Sequence, residues 1–222
     1  MIIVLLGPPG SGKGTQAELI RKNFGFYKIS IGDMFREAIK REDNIGKKAK
    51  RYLATGKLVP DSLVLKMVKR EFVSRKGRRN IIFDGFPRNI NQARDFNEFL
   101  NSVNKKIALV FYFDIPFSIL SERLLQRRIC PRCGAVYNLG TAPPISHNIC
   151  DRCGSILAKR EDDRAEIVKN RFQVYEKETA PVKKFYSKKE VLVNINSDAN
   201  EDGIWRLVKK HIDRKFNQEK TK

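Results

Sequence analysis

A chain of 222 residues, 41% of them apolar, is long enough to bury a sizeable core, as one α/β domain with insertions or as two small domains. It has no apolar run of membrane-spanning length and no leader-like start, so a soluble cytoplasmic protein is expected. The net charge of +20 comes from 45 Lys and Arg against 25 Asp and Glu and is spread along the sequence. Much of the excess lies on predicted helix surfaces (Lys47, Lys48, Lys183, Lys184, Lys209, Lys210), and no RNA-binding aromatic motif accompanies it, so nucleic acid is an unlikely ligand.

In chain order, Ile2–Leu6 is an unbroken apolar run, the pattern of a strand buried on both faces of a parallel sheet. Residues 7–13 follow with the spacing G-x-x-x-x-G-K, the phosphate-loop fingerprint. Its glycines (Gly7, Gly10, Gly12, Gly14) let main-chain N–H groups approach an anion, and Lys13 adds positive charge. A helix over 14–23, with Leu19 and Ile20 inward, points its N-terminal dipole at the same spot. Gly14 occupies the position where such loops carry a magnesium-binding hydroxyl, and Thr15 comes one residue late. A nucleoside triphosphate site is therefore expected in which the loop holds magnesium less directly.

Tyr27–Ser30 reads as a second strand. Asp33 can cap a helix reaching Lys40, and residues 45–54 form another that stops at Gly56. Pro60 and Asp61 start a helix with Leu63, Val64, Met67, Val68 and Phe72 at helical spacing. Residues 80–84 are a buried strand ending in Asp84, which suits either a magnesium-associated acid or a turn cap. Residues 92–100 are helical, 107–113 a further buried strand, and 116–128 helical. Residues 129–158 break this rhythm and read as an inserted subdomain. A long helix follows over 162–177, interrupted or restarted at Pro181, then a strand over 191–195 and a helix over 204–215. Alternating strands and helices predict an α/β fold: a parallel sheet flanked by helices, with the ligand at the strands' carboxyl ends.

All four cysteines lie in two C-x-x-C knuckles, Cys130/Cys133 and Cys150/Cys153, with sixteen residues between Cys133 and Cys150. Four thiolates fill a tetrahedral zinc shell and leave no open position, so a structural zinc is expected and His147 is a bystander. Arg36, Arg88, Arg123, Arg127, Arg160 and Arg171 lie near strand ends, at the insertion's edges or on the helix after it. Singly each reads as a surface residue; converging on one cleft they would clamp phosphates.

GPPGSGKGTQ at 7–16, ISIGDMFR at 29–36, LVPD at 58–61, DGFPR at 84–88, Gln92-Ala93, RRICPRCG at 127–134 and REDD at 160–163 together resemble adenylate kinase in its long form with a zinc-binding lid. The resemblance implies a core P-loop domain (1–30, 61–125 and 164–222) of the nucleoside monophosphate kinase type. Two mobile insertions would complete it, an NMP-binding one (31–60) and a lid (126–163).

It further implies that Gly10, Ser11, Gly12, Lys13, Gly14 and Thr15 hold the phosphates of ATP, with Arg123 at its base and Arg127 nearby. AMP would be bound by Ile31, Arg36, Lys57, Val59, Gly85, Arg88, Gln92, Arg160 and Arg171. Lys13, Arg88, Arg127, Arg160 and Arg171 would be catalytic, and Asp84 would hold magnesium through water. Asp162 and Asp163 match an acidic pair of the lid, although Asp163 with Glu166 also fits a helix capping box. Ile31 and Asn89 stand where many members carry threonine. The implied reaction is Mg·ATP + AMP ⇌ 2 ADP on a monomer; a UMP or CMP kinase and a basic zinc-ribbon nucleic-acid module are the alternatives.

Overall fold

The computed structural model describes residues 1–75 and 80–220. Seven strands form: β1 (Ile2–Leu6), β2 (Tyr27–Ser30), β3 (Ile81–Asp84), β4 (Leu109–Asp114), β5 (Arg127–Ile129), β6 (Val136–Asn138) and β7 (Leu192–Asn196). The helices are α1 (Lys13–Phe24), α2 (Ile31–Lys40), α3 (Asn44–Ala54), α4 (Asp61–Ser74), α5 (Ile90–Ser102), α6 (Phe117–Leu125), α7 (Ala165–Val174), α8 (Ala180–Ser187) and α9 (Glu201–Lys220).

Five strands make one sheet in the order β2-β3-β1-β4-β7, every neighbouring pair parallel. The unbroken apolar runs are explained by what covers each face. Val4, Leu6, Phe83 and Val110 point to a layer built from Val64 and Val68 of α4, Phe96 of α5 and Tyr186 of α8. Ile3, Leu5, Ile82, Phe111 and Phe113 point the other way, onto Ala17 and Ile20 of α1 and Ile204, Val208 and Ile212 of α9. Successive residues of a strand face opposite sides, so a strand clad on both must be apolar throughout. Leu19, expected inward, is only half-buried, while Gln16 fills the inner face of α1 instead.

Several expected boundaries shift because another partner outcompetes the expected one. Ser30, not Asp33, caps α2: its hydroxyl accepts from the Asp33 N–H at 3.4 Å, and the Asp33 carboxylate is taken by Arg36 at 2.5 Å. The helix expected over 116–128 stops at Leu125. Arg127 and Ile129 join a small antiparallel pair with β6, and Ile129 exchanges both main-chain bonds with Ala158 at 2.8 Å. The long helix expected over 162–177 is a 3₁₀ turn (Glu161–Asp163) followed by α7. It passes through a π turn (Tyr175–Thr179) into α8, where the Ala180 N–H bonds back to Tyr175 O just ahead of Pro181, which has no N–H to offer. No side chain caps α7, so the Asp163–Glu166 capping box does not form.

Gly46 is where α3 crosses α2. A Cβ there would lie 2.2 Å from the Ala38 carbonyl oxygen, so only glycine permits the approach. Among the described residues no helix is long and apolar enough to cross a membrane.

Candidate active site and metal centre

The loop after β1 sits at the carboxyl end of the sheet, between β3 and β4. Gly10 and Gly12 have φ of 84° and 82°, a conformation that turns main-chain N–H groups inward and that side chains disfavour. Lys13 opens α1, and its Nζ donates to Pro8 O at 2.6 Å and Ser11 Oγ at 3.2 Å. Burial pulls the Lys13 ammonium down to about 7; Asp84 opposes the shift, while Arg88, Arg171 and Arg127 add to it. Asp84 ends β3 in register with Leu5 and Ser30, and Lys28 Nζ stands 3.8 Å from its Oδ2. A Cβ on Gly14 would come within 3.7 Å of that oxygen, so Asp84 lies directly across from the loop and Gly14 leaves its carboxylate open. Thr15 is exposed on α1.

The structure links five of the six arginines into one cluster: Arg88, Arg127 and Arg171 act directly on Lys13, and Arg36 and Arg160 join them around Asp162. Arg127, on β5, grips Asp163 with a two-pronged contact, Nε at 2.7 Å and Nη2 at 2.5 Å. Arg171 of α7 donates to Asp162 O at 3.0 Å and lies 3.1 Å from Asp162 Oδ2 and 3.3 Å from Asp163 Oδ1. Arg36 lies 3.9 Å from Asp162. Arg88 Nε donates to Gly85 O at 3.0 Å. Burial lowers Arg88 and Arg160 to about 10, reinforced by Arg171 and Arg36 at Arg88 and by Arg127 and Arg36 at Arg160. Guanidinium groups so perturbed are buried and crowded with like charge, which nearby carboxylates only partly offset. Arg160 Nε is buried without a partner.

The acidic pair offsets part of this charge. Burial works against ionisation of Asp162, but Arg171, Arg36, Arg127 and Arg160 hold its carboxyl below the usual carboxylate range. Asp163 is a clamp for two arginines. Arg123 stands outside the cluster: its Nη1 donates to Ser197 O at 2.9 Å, beyond the end of β7.

Beside Arg88 opens a pocket lined by Ile31, Lys57, Val59, Gly85, Arg88 and Gln92, with Phe35, Leu53, Val64 and Phe86 completing its apolar wall. Sequence reasoning missed those four wall residues, which carry no signal beyond apolar periodicity. It also missed Lys28, whose place next to Asp84 follows from the β2–β3 register alone.

The four cysteines meet at one point, their sulfur atoms all within 4.8 Å of one another. Cys130 and Cys153 are 3.3 Å apart, and Cys133 and Cys150 3.5 Å. These separations are too long for disulfides, and they resemble the roughly 3.8 Å edge that Zn–S bonds of about 2.3 Å give a tetrahedron. The Cys133 N–H points at Cys130 Sγ at 3.4 Å, so the first knuckle turns its backbone toward the thiolates. The donor set is compatible with zinc.

An all-parallel sheet with the phosphate loop on its central strand, facing a cluster of arginines beside a closed pocket, defines a phosphate-loop kinase of nucleoside monophosphates. A family model described as adenylate kinase matches residues 5–191. The adenylate kinase of Hydrogenobaculum sp. is 40% identical over 209 residues, covering 94% of this chain and 99% of its own. That of Archaeoglobus fulgidus is 41% identical over 208 residues, 94% and 96% of the two chains. That of Caldanaerobacter subterraneus is 42% identical over 212 residues, 96% of each. The chain belongs to the adenylate kinase family.

Proposed function

We propose that this protein catalyses reversible transfer of the terminal phosphoryl group of Mg·ATP to AMP, giving two ADP. The observation that carries the reading is the cluster of Lys13, Arg36, Arg88, Arg127, Arg160 and Arg171, several with pKa values lowered by burial and, beyond that, by one another's charge. Asp162 and Asp163 offset only part of this charge, so the cluster favours further anions between its members. Two nucleotides laid end to end supply them.

The attacking group is a phosphate oxygen of AMP, ionised at neutral pH because its second pKa is about 6. No general base is therefore needed, and neither histidine is positioned to be one: His211 lies against Phe111 beneath the sheet and His147 is exposed. The demand on the protein is to bring two polyanions together in line and exclude water, which positive charge and orientation meet.

In this reading Gly10 to Thr15 cradle the ATP phosphates, and Arg123 lies against its base. The pocket of Ile31, Lys57, Val59, Gly85, Arg88 and Gln92 takes AMP, with Arg36 of α2 on its phosphate. Arg127, Arg160 and Arg171 surround the group in flight. Magnesium neutralises phosphate charge, and Asp84 would hold it through water. Zinc would sit on Cys130, Cys133, Cys150 and Cys153 and stiffen the segment 126–163. This segment and 31–60 would close over the core when both nucleotides are present. We read it as a monomer of the cytoplasm, where its nucleotide substrates are found.

The test is a coupled assay with Mg·ATP and each of AMP, GMP, CMP and UMP, run beside Lys13→Met. AMP is expected to be the preferred acceptor. Lys13→Met should lose about 10³-fold or more in turnover while melting at or slightly above the wild-type temperature, because a buried charge is gone. Retained turnover in that variant, or no diphosphate from any acceptor, would sink the assignment.

A further inference from the structure

Gln92 is buried to 1% exposure, and both ends of its amide are engaged. Its Oε1 accepts from the Arg88 main-chain N–H at 2.8 Å, and its Nε2 donates to Asp61 Oδ1 at 2.6 Å. The partners dictate which way round the amide lies: a main-chain N–H can only donate and a carboxylate can only accept. Asp61 is itself held by Asn89, whose Nδ2 lies 3.0 Å from both carboxylate oxygens. Asn89 Oδ1 meanwhile accepts the Gln92 main-chain N–H at 2.8 Å, so one residue caps α5 and steadies Asp61.

Asp61 lines the outer groove beside Leu65, Lys66 and Lys69 rather than the pocket that Gln92 lines. It works on the pocket from behind. With these bonds made, the Gln92 amide keeps one N–H and one carbonyl lone pair for a ligand. A half-turn would set its carbonyl against the Asp61 carboxylate and its NH₂ against the Arg88 N–H, two repulsive contacts in a buried place.

We propose that Asp61 is a specificity-determining positioning residue which, by fixing the polarity of the Gln92 carboxamide, selects a 6-aminopurine monophosphate over a 6-oxopurine one. The edge of a 6-aminopurine offers an N–H donor beside a bare ring nitrogen, matching a carbonyl beside an N–H. A 6-oxopurine offers the reverse, an acceptor beside a ring N–H, and would need the turned amide. The inference rests on the proposed acceptor site, specifically on Gln92 meeting the base.

The test is steady-state kinetics with AMP and GMP on Asp61→Asn and Gln92→Ala. Asparagine keeps the size of the side chain but both donates and accepts, so it removes the carboxylate's repulsion and leaves only the Arg88 N–H opposing the half-turn. In Asp61→Asn the preference for AMP over GMP in kcat/KM should fall by about tenfold or more, through KM, while kcat with AMP stays within about threefold.

An unchanged preference in Asp61→Asn, with Gln92→Ala losing it, overturns the lock and leaves the acceptor site standing. An unchanged preference in Gln92→Ala overturns both. Should Asp61→Asn fail to fold, the wild-type protein decides: the Gln92 side-chain NH₂ signals of ¹⁵N-labelled, ligand-free protein should exchange with water on the order of a hundredfold more slowly than an exposed amide. Exchange at the exposed rate overturns the proposal.

Discussion

The segments 31–60 and 126–163 flank the same cleft and are held together by different physics. Ile31, Phe35, Ala49 and Val59 of the first belong to the apolar cluster that covers one face of the sheet, continuous with Val4 and Phe83. The second has a cluster of its own, Cys130, Ala135, Cys150 and Leu157, half of it cysteine, under strands of three residues. A segment that shares the main core is stabilised by the burial that stabilises everything else. One that stands apart is too small to exclude much water and calls for a cross-link, which the proposed zinc on its four convergent cysteines would supply.

The harshest way to break this comparison is Cys130→Ser. With the proposed zinc lost, stability should fall by several kcal/mol, about 10 °C in melting temperature at roughly 2–4 °C per kcal/mol, while turnover at moderate temperature falls less. Limited proteolysis should then cut within 126–163 and spare 31–60. A melting point indifferent to stoichiometric chelator would mean that the second segment stands without its cross-link.

Gly46→Ala probes the first segment alone. The new Cβ would meet Ala38 O at 2.2 Å and Ile39 N at 2.5 Å, backbone atoms that yield only if α2 and α3 separate. The expected loss is about 1–3 kcal/mol, independent of chelator; wild-type melting would show that the crossing contributes nothing.

The smallest signal sharpens the comparison most. Because Lys13 is held at about 7, it is largely neutral at pH 8.5 in the free protein; bound phosphates restore the ammonium, so nucleotide binding should take up a fraction of a proton. Calorimetry in buffers of different ionisation enthalpy reads this directly. Part of the shift comes from Arg127 on β5, so Cys130→Ser, which loosens that strand, should reduce the uptake, and Gly46→Ala should not. Proton release at pH 8.5 would contradict the lowered value. The same shift makes the ligand-free fold gain stability as pH rises from about 7 toward 10.5, where the unfolded chain still binds the proton that the folded one has released.

What the sequence made legible follows from how local each signal is. The strand 2–6, the phosphate loop and the cysteine knuckles are spelled out within a few consecutive residues, and the structure has them where the spacing predicts. That the sheet is parallel follows from the alternation of strands and helices, while its strand order does not. The misreadings share one cause: a polar residue with two ways to be satisfied, decided by which partner the fold brings to it. Asp33 could cap α2 but faces Arg36, leaving the cap to Ser30. Asp163 could open a capping box but is claimed by Arg127, thirty-six positions away. Arg127 itself could continue α6 but is drawn into a ladder with Asn138. Asp61 reads as an ordinary helix start until Gln92 and Asn89 arrive from α5.

One piece of backbone gauges two of the arginines. α7 carries Arg171 against Asp162, and five residues past α7, at the end of the π turn, Thr179 Oγ1 donates to Arg88 O at 2.7 Å. The widened turn sets the phase between those two bearings. Deleting a single residue from 175–179 would tighten the coil to the ordinary pitch, draw its ends about 1.5 Å closer and swing Thr179 away by roughly 100°. The spacing of Arg171 and Arg88 would then be miscut while each guanidinium stayed chemically intact, as a ruler misprinted in its middle still carries true marks at either end.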